Sequence, residues 1–202
     1  GVAAFAGVKI DKAGTGYTLT ASASGLTGAT SSTFNVTVGS ATQLAFTTQP
    51  GAGTGGSNLA TQPVVTVQDA GGNTVTGATT EITLAIGTNA GSGTLSATTN
   101  PLSATAGVAT FAGVKIDKAG TGYTLTASAS GLTGATSSTF NVTVGTAAKL
   151  AFTTQPGAGT GGSNLATQPV VTVQDAGGNT VDRKSTRLNS SHVALSRMPS
   201  SA

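Results

Sequence analysis

The amino-acid sequence repeats itself almost perfectly, because residues 1–75 recur as residues 107–181. The two copies are offset by 106 residues and differ at only four aligned positions. Periods of about 20–50 residues are typical of solenoids and propellers, whereas about 100 residues is the size of one sandwich domain. The sequence therefore predicts a series of like domains, each with its own core. The four differing pairs are Ala4/Thr110, Ser40/Thr146, Thr42/Ala148 and Gln43/Lys149.

The positions of these differences favour one division of the chain. Periodicity alone leaves the phase open, since residues 1–106 and 41–146 are both full periods. Three of the four differences cluster at positions 40, 42 and 43, and linkers tolerate change better than cores. We therefore predict a C-terminal part of one repeat in residues 1–40, a complete repeat in 41–146 and an N-terminal part of a further repeat in 147–181. These are called the N-terminal, central and C-terminal segments below.

Apolar and hydroxyl residues alternate along the central segment, which is typical of half-buried antiparallel strands. Glycine- and asparagine-rich turns separate the runs, and no stretch has helical spacing, so the fold class predicted is all-β, an antiparallel β-sandwich of seven or eight strands per repeat. The turns are predicted at 51–58, 69–73, 87–91, 118–122 and 131–134. The predicted core residues are Leu44, Phe46, Val65, Val67, Ile82, Leu84, Ile86, Tyr123, Leu125, Ala127, Ala129, Phe140, Val142 and Val144.

The last 21 residues, 182–202, break the pattern abruptly. They resemble the in-frame translation of a sequencing adapter, so we interpret them as a non-native, disordered tail. Four of the nine basic residues and one of the six acidic residues lie there, which leaves five of each in residues 1–181. The isoelectric point of about 9.5 is therefore no sign of a nucleic-acid partner. His192, the only histidine, belongs to the same tail.

Three stretches of the sequence carry a resemblance to a known family. They are Lys149–Pro156, with the sequence KLAFTTQP, Val170–Asn179, with VVTVQDAGGN, and Ala119–Leu125, with AGTGYTL. In these stretches the chain resembles the bacterial immunoglobulin-like repeats of large surface proteins and adhesins, over residues 1–181. The resemblance implies tandem immunoglobulin-like sandwiches outside the cell, and it supplies no ligand.

Few residues are candidates for a site. Tyr123 resembles a tyrosine corner, whose hydroxyl bonds to nearby backbone, with ligand stacking as the alternative. Asp69 with Asn73, and Asp175 with Asn179, either form turns or give oxygens to Ca²⁺, which needs six to eight of them. The glycines of residues 51–56 are interpreted as a flexible connector rather than a phosphate-binding loop. The carboxylates Asp69, Glu81 and Asp117 are interpreted as non-catalytic.

The sequence thus predicts no enzyme: no catalytic, cofactor-binding or metal residue is assigned, and no cofactor is expected. Charged residues make up only 7% of the chain, and there is no cysteine. The function predicted is a structural spacer or stalk of an extracellular or cell-surface bacterial protein. The alternative is a weak multivalent adhesive module that binds glycans or cell-surface proteins. The partners expected are neighbouring repeats, with no nucleic acid and no membrane insertion.

Overall fold

A computed structural model of the chain describes residues 1–182, and every regular element among them is a β-strand. Residues 183–202, nearly all of the predicted tail, lie outside the described residues. The N-terminal segment contains β1 (Gly14–Tyr17), β2 (Thr20–Ala21), β3 (Ala29–Thr30) and β4 (Phe34–Val36). The C-terminal segment contains β17 (Lys149–Thr154) and β18 (Val170–Gln174).

The central segment carries the remaining strands, most of them short. They are β5 (Gln43–Thr48), β6 (Gly53–Thr54), β7 (Val64–Gln68), β8 (Glu81–Ile86), β9 (Leu95–Ser96), β10 (Leu102–Ser103), β11 (Val108–Thr110), β12 (Lys115–Ile116), β13 (Gly120–Tyr123), β14 (Leu125–Ser128), β15 (Ala135–Thr136) and β16 (Phe140–Thr143). Turns and bulges break the alternating runs, so the structure has more and shorter strands than the seven or eight predicted.

The strands of the central segment form several small sheets. Their orders are β10-β8-β14-β15, β11-β7-β5, β13-β16-β6 and β12-β9. Pairing is antiparallel throughout these sheets except between β6 and β16, where Val142 pairs with Gly53 and Thr143 with Thr54 in parallel. The fold class is therefore all-β with antiparallel sheets, an arrangement consistent with a β-sandwich.

Among the described residues, every buried hydrophobic side chain lies between Leu44 and Val142. Most of the predicted core positions are confirmed as buried. Four larger buried residues were not predicted, because they lie in loops or two- to three-residue strands where alternation is too brief to read. The confirmed residues are Leu44, Val65, Val67, Ile82, Leu84, Tyr123, Leu125, Ala127, Phe140 and Val142, and the unpredicted ones are Leu59, Phe111, Val114 and Ile116.

Two predictions about this region are wrong. Val144 is exposed, because it lies beyond the end of β16. Residues 118–122 were predicted as a turn, yet Gly120 begins β13, which pairs with β16 across a bulge. A glycine at positive φ, Gly122, makes the bulge possible, which is why glycine-rich sequence is compatible with a strand here.

The flanking segments form the same local pairs as the central one. Gly14 pairs with Val36 and Tyr17 with Phe34 in the N-terminal segment, at the register of their counterparts across β13 and β16. The large apolar side chains of the two flanking segments, in contrast, are mostly exposed. The exposed large hydrophobic residues of the two flanks are Val2, Phe5, Val8, Leu19, Leu26, Phe34, Val38, Leu150, Phe152, Leu165, Val170 and Val171. Within residues 1–182, no helix is long and apolar enough to cross a membrane.

Candidate functional site: the junctions between segments

Asp69 organises the loop that follows β7. Its Oδ1 accepts hydrogen bonds from the backbone N–H groups of Gly71 and Asn73, each at 2.9 Å. Its Oδ2 accepts one from Gly39 N–H at 2.8 Å, in the linker from the N-terminal segment. The amide Nδ2 of Asn73 lies 2.9 and 3.0 Å from the two carboxylate oxygens. An aspartate here therefore closes its own turn and also holds the preceding linker.

Asn73 joins this loop to the N-terminal segment. Its Nδ2 donates to the carbonyl oxygen of Asp11 at 2.7 Å, and its Oδ1 accepts from Ala13 N–H at 3.0 Å. The side chain thus pairs with the backbone on both sides of Lys12, as a neighbouring strand would. Lys12 Nζ donates to the carbonyl oxygens of Gly71 and Gly72 at 2.9 and 3.1 Å. We call this set of contacts the first junction.

The C-terminal segment attaches to the central one by the same contacts, 106 residues further on. Asp175 Oδ2 accepts from Gly145 N–H at 2.8 Å, as Asp69 does from Gly39. Asn179 Nδ2 donates to Asp117 O at 2.7 Å, and Asn179 Oδ1 accepts from Ala119 N–H at 2.9 Å. Lys118 Nζ donates to the carbonyls of Gly177 and Gly178 at 3.1 and 3.4 Å. We call this set the second junction.

Both aspartates are held in their charged form. The N–H of Asn73, with those of Gly39 and the Asn73 side chain, lowers the pKa of Asp69 from 3.8 to about 2, because hydrogen bonds to a carboxylate favour the ionised form. Burial acts in the opposite direction on Asp175, but donors from Gly145 and Asn179 outweigh it, so the pKa of Asp175 also lies below 3.8. Each junction therefore contains a buried carboxylate whose charge is matched by N–H donors.

A glycine-rich loop of the central segment covers the second junction. A Cβ on Gly55 would meet Asn179 Nδ2, and would lie only 2.7 Å from Asp175 Oδ2 and 2.8 Å from Asp117 O. A Cβ on Gly56 would lie 2.6 Å from Gly177 N. Only residues without a side chain allow the two backbones to approach this closely. Asp175 is fully buried under this cover, whereas Asp69, which lacks the cover, is 5% exposed.

The structure favours the turn over the calcium alternative at these aspartates. A cation needs carboxylate oxygens with free lone pairs facing one cavity. The oxygens of Asp69 and Asp175 instead face N–H donors, whose positive ends would repel a cation. Within residues 1–182, no group of three or more His, Cys, Asp or Glu residues could hold a metal ion.

The other candidate residues lie apart from one another. Tyr123 is fully buried, and its hydroxyl donates to Lys118 O at 2.9 Å, the contact expected of a tyrosine corner. Glu81 is exposed on β8, while Asp69 and Asp117 lie at different junctions, so the three carboxylates do not share a cleft. The loop 51–56, predicted to be a flexible connector, is held by hydrogen bonds: Gly51 N to Thr61 O at 3.0 Å and Gly56 N to Ile116 O at 3.0 Å.

Sequence reasoning identified the loop 69–73 but not what it contacts. The bond from Asn73 to Asp11 joins residues 62 positions apart, and turn chemistry describes only neighbours in sequence. One signal was available, namely that Lys12 and Lys118 are among the few charged residues and occupy equivalent positions in the two copies.

Comparison with protein-family models and with curated protein sequences found no match.

Proposed function

We propose that the chain is a stretch of tandem immunoglobulin-like β-sandwich repeats that serves as a structural spacer in an extracellular bacterial surface protein. Neighbouring repeats are its principal partners in this proposal. The observation that carries it is the recurrence of one junction: the contacts of Gly39, Asp69 and Asn73 return at Gly145, Asp175 and Asn179 with nearly equal lengths. Identical joints between identical units add the same increment of length each time.

A spacer needs joints that do not bend freely. The end-to-end distance of units on flexible linkers grows roughly as the square root of their number, whereas rigidly joined units extend in proportion to it. Domains on one chain move relative to each other by default unless contacts hold them. Here the carboxylate of each repeat holds the preceding linker, and the asparagine holds the preceding repeat. Each joint therefore fixes the direction of the next unit.

The near-identity of the copies supports the same proposal, because a spacer needs no surface that differs from one copy to the next. Three of the four differences lie at the linker and β5 edge, and they leave the junction intact. Gln43 Nε2 donates to Asp69 O at 3.1 Å, and at the equivalent place Lys149 Nζ donates to Ala176 O at 3.4 Å. The resemblance to surface-protein repeats supports the extracellular location.

Small-angle scattering of proteins with one, two and four consecutive copies of residues 41–146 tests this proposal. We expect the maximum dimension to grow by a constant increment per copy. Replacing Asn73 by Ala in every copy should shorten the average dimension, because the joint loses its bonds to Asp11 and Ala13 equivalents. The matched control is Asn89→Ala, which removes two bonds to Gly93 within one repeat and should leave the increment unchanged. A compact globule, or growth as the square root of copy number, would refute the spacer.

A further inference from the structure

The only parallel pairings among residues 1–182 join the beginning of the central segment to its end. Strand β6 pairs in parallel with β16, and a parallel bridge joins Gln43, at the start of β5, to Thr133. We propose that these two contacts form a mechanical clamp, through which each repeat carries tension along the array. The inference rests on the proposed spacer function, because a spacer attached at both ends is pulled from both ends.

The chain enters and leaves the central segment at different junctions. It enters at Gln43, which pairs with Gln68, directly before the Asp69 loop of the first junction. It leaves at Gly145, whose N–H donates to Asp175 Oδ2 at 2.8 Å in the second junction. Tension transmitted by neighbouring repeats therefore pulls β5 and β6 backwards along the chain and pulls β16 forwards.

Parallel pairing converts this tension into shear. In a parallel pair, the incoming end of one strand and the outgoing end of the other lie at opposite ends of the pair, so pulling slides the strands past each other. All the hydrogen bonds between the two strands are then loaded at the same time and must break together. Two antiparallel strands pulled apart at one end lose their bonds one after another, which requires less force.

Hydrogen bonds at both parallel contacts resist this sliding. Gly55 N donates to Thr143 O at 2.9 Å, and Thr143 Oγ1 donates to Gly53 O at 3.3 Å. At the other contact, Leu44 N donates to Thr133 O at 2.8 Å. The first contact lies where the chain leaves the central segment and the second where it enters. Both strands that receive the tension are therefore held by the opposite end of the same repeat.

The following repeat holds the end of β6 from its other side. Gly55 lies so close to Asp175 and Asn179 that a Cβ on this glycine would have no room. Its N–H is bound to Thr143 O within its own repeat. The β6–β16 pair therefore cannot slide apart without also disturbing the second junction, so the junction supports the clamp.

Pulling single molecules of the full chain along two axes tests the proposal. The chain contains no cysteine, so introduced cysteines are the only sites at which thiol-reactive DNA handles attach. Ser40→Cys with Thr146→Cys, at exposed and equivalent positions, applies tension along the array. Glu81→Cys with Ser130→Cys, also exposed, pulls β8 and β14 apart from one end of their antiparallel pair. At one loading rate, the axial unfolding force should exceed the transverse force by at least about twofold, because forced unfolding follows the barrier along the pulled path.

A proline in the clamp provides the second arm of the experiment. Thr143→Pro removes a backbone N–H and the hydroxyl from β16, so the axial force should fall while the transverse force stays close to that of the parent chain. Thr136→Pro, the same substitution in the short strand β15, lies outside the clamp and is the matched control. It should leave the axial force unchanged. Circular dichroism checks that both variants retain their strands, and the comparison of the two axes in the parent chain requires neither variant.

Two outcomes would overturn the clamp. One is an axial force no greater than the transverse force in the parent chain, and the other is a folded Thr143→Pro variant whose axial force equals that of the parent. The spacer is tested separately, by the growth of the maximum dimension with copy number. A spacer without a clamp would give constant increments in scattering but similar forces along both axes. A clamp in an array that is no spacer would give the reverse.

Discussion

Tyr17 and Tyr123 occupy equivalent positions in two copies of one sequence, and they share their local contacts but not their burial. Each hydroxyl donates to the carbonyl oxygen five residues earlier, at 3.0 Å for Tyr17 and 2.9 Å for Tyr123. Each ring lies 6.1 Å from a stacked phenylalanine. Tyr123 is fully buried and its partner Phe140 only 6% exposed, whereas Phe34 beside Tyr17 is 36% exposed.

The difference separates what the local sequence encodes from what the rest of the repeat adds. The turn, the bulge at Gly16 or Gly122 and the tyrosine contact form in both copies, so they depend on residues within one hairpin. Burial depends on residues 41–106, which cover the large apolar side chains of residues 107–146 but leave those of residues 1–40 exposed. The free energy of unfolding should therefore come from the core of the central segment, while residues 1–40 and 107–146 retain similar local geometry.

The sharpest test of this comparison is to truncate one phenylalanine in each copy. Phe111→Ala should lower the free energy of unfolding by about 3–5 kcal/mol, because it leaves a cavity in the core. Phe5→Ala, at an exposed site, should change it by less than about 0.5 kcal/mol. Urea denaturation followed by circular dichroism measures both. Equal effects of the two substitutions would show that the copies do not differ in packing.

The contrast between the copies also shows which buried residues the sequence alone could predict. Alternation predicted Ile82, Leu84 and Leu125 in the core, because strands of four or more residues display their two faces clearly. It did not predict Phe111 or Ile116, which lie on or beside strands of three residues or fewer. Their burial depends on which distant loops cover them, and sequence periodicity contains no such information.

The junctions were predictable only in part for the same reason. Asp69 and Asn73 are residues typical of turns, and a turn is what they form. The pairing of Asn73 with Asp11 and Ala13 spans about 60 residues and connects segments predicted to belong to separate repeats. Nothing in local turn chemistry distinguishes an asparagine that closes its own loop from one that also binds a neighbour.

The cover over the second junction provides the next prediction. Gly55→Ala should destabilise the contact between the central and C-terminal segments by about 1–3 kcal/mol, because its Cβ would overlap Asn179 and force the backbones apart. Gly161→Ala is the matched control, since that equivalent glycine has nothing within 4 Å of a Cβ. Amide hydrogen exchange of residues 175–181 should accelerate in Gly55→Ala only. Unchanged exchange would mean that the loop 51–58 does not stabilise the junction.

A smaller effect is expected from removing the two tyrosine hydroxyls. Tyr123→Phe should lower the free energy of unfolding by about 1 kcal/mol, because the Lys118 carbonyl loses its donor in a partly buried place. Tyr17→Phe should have no measurable effect, because water can reach the Lys12 carbonyl in the exposed copy. Urea denaturation of both variants provides the comparison. A loss of similar size in Tyr17→Phe would indicate that the N-terminal segment is packed as tightly as the central one.

The last prediction concerns the stability of both junctions at acid pH. The pKa of Asp69 in the folded chain, about 2, lies below its ordinary value of 3.8, so the ionised carboxylate stabilises the junction above about pH 4. This contribution should decline as the pH falls from about 4 and be lost once the pH passes below the folded-state pKa near 2. The pKa of Asp175 is lowered as well, so the second junction should weaken in the same direction. NMR titration of the Gly39 and Gly145 amides, which donate to the two carboxylates, should give midpoints below 3.8. A midpoint at 3.8 for either amide would show that its carboxylate is not held by the N–H donors of its junction.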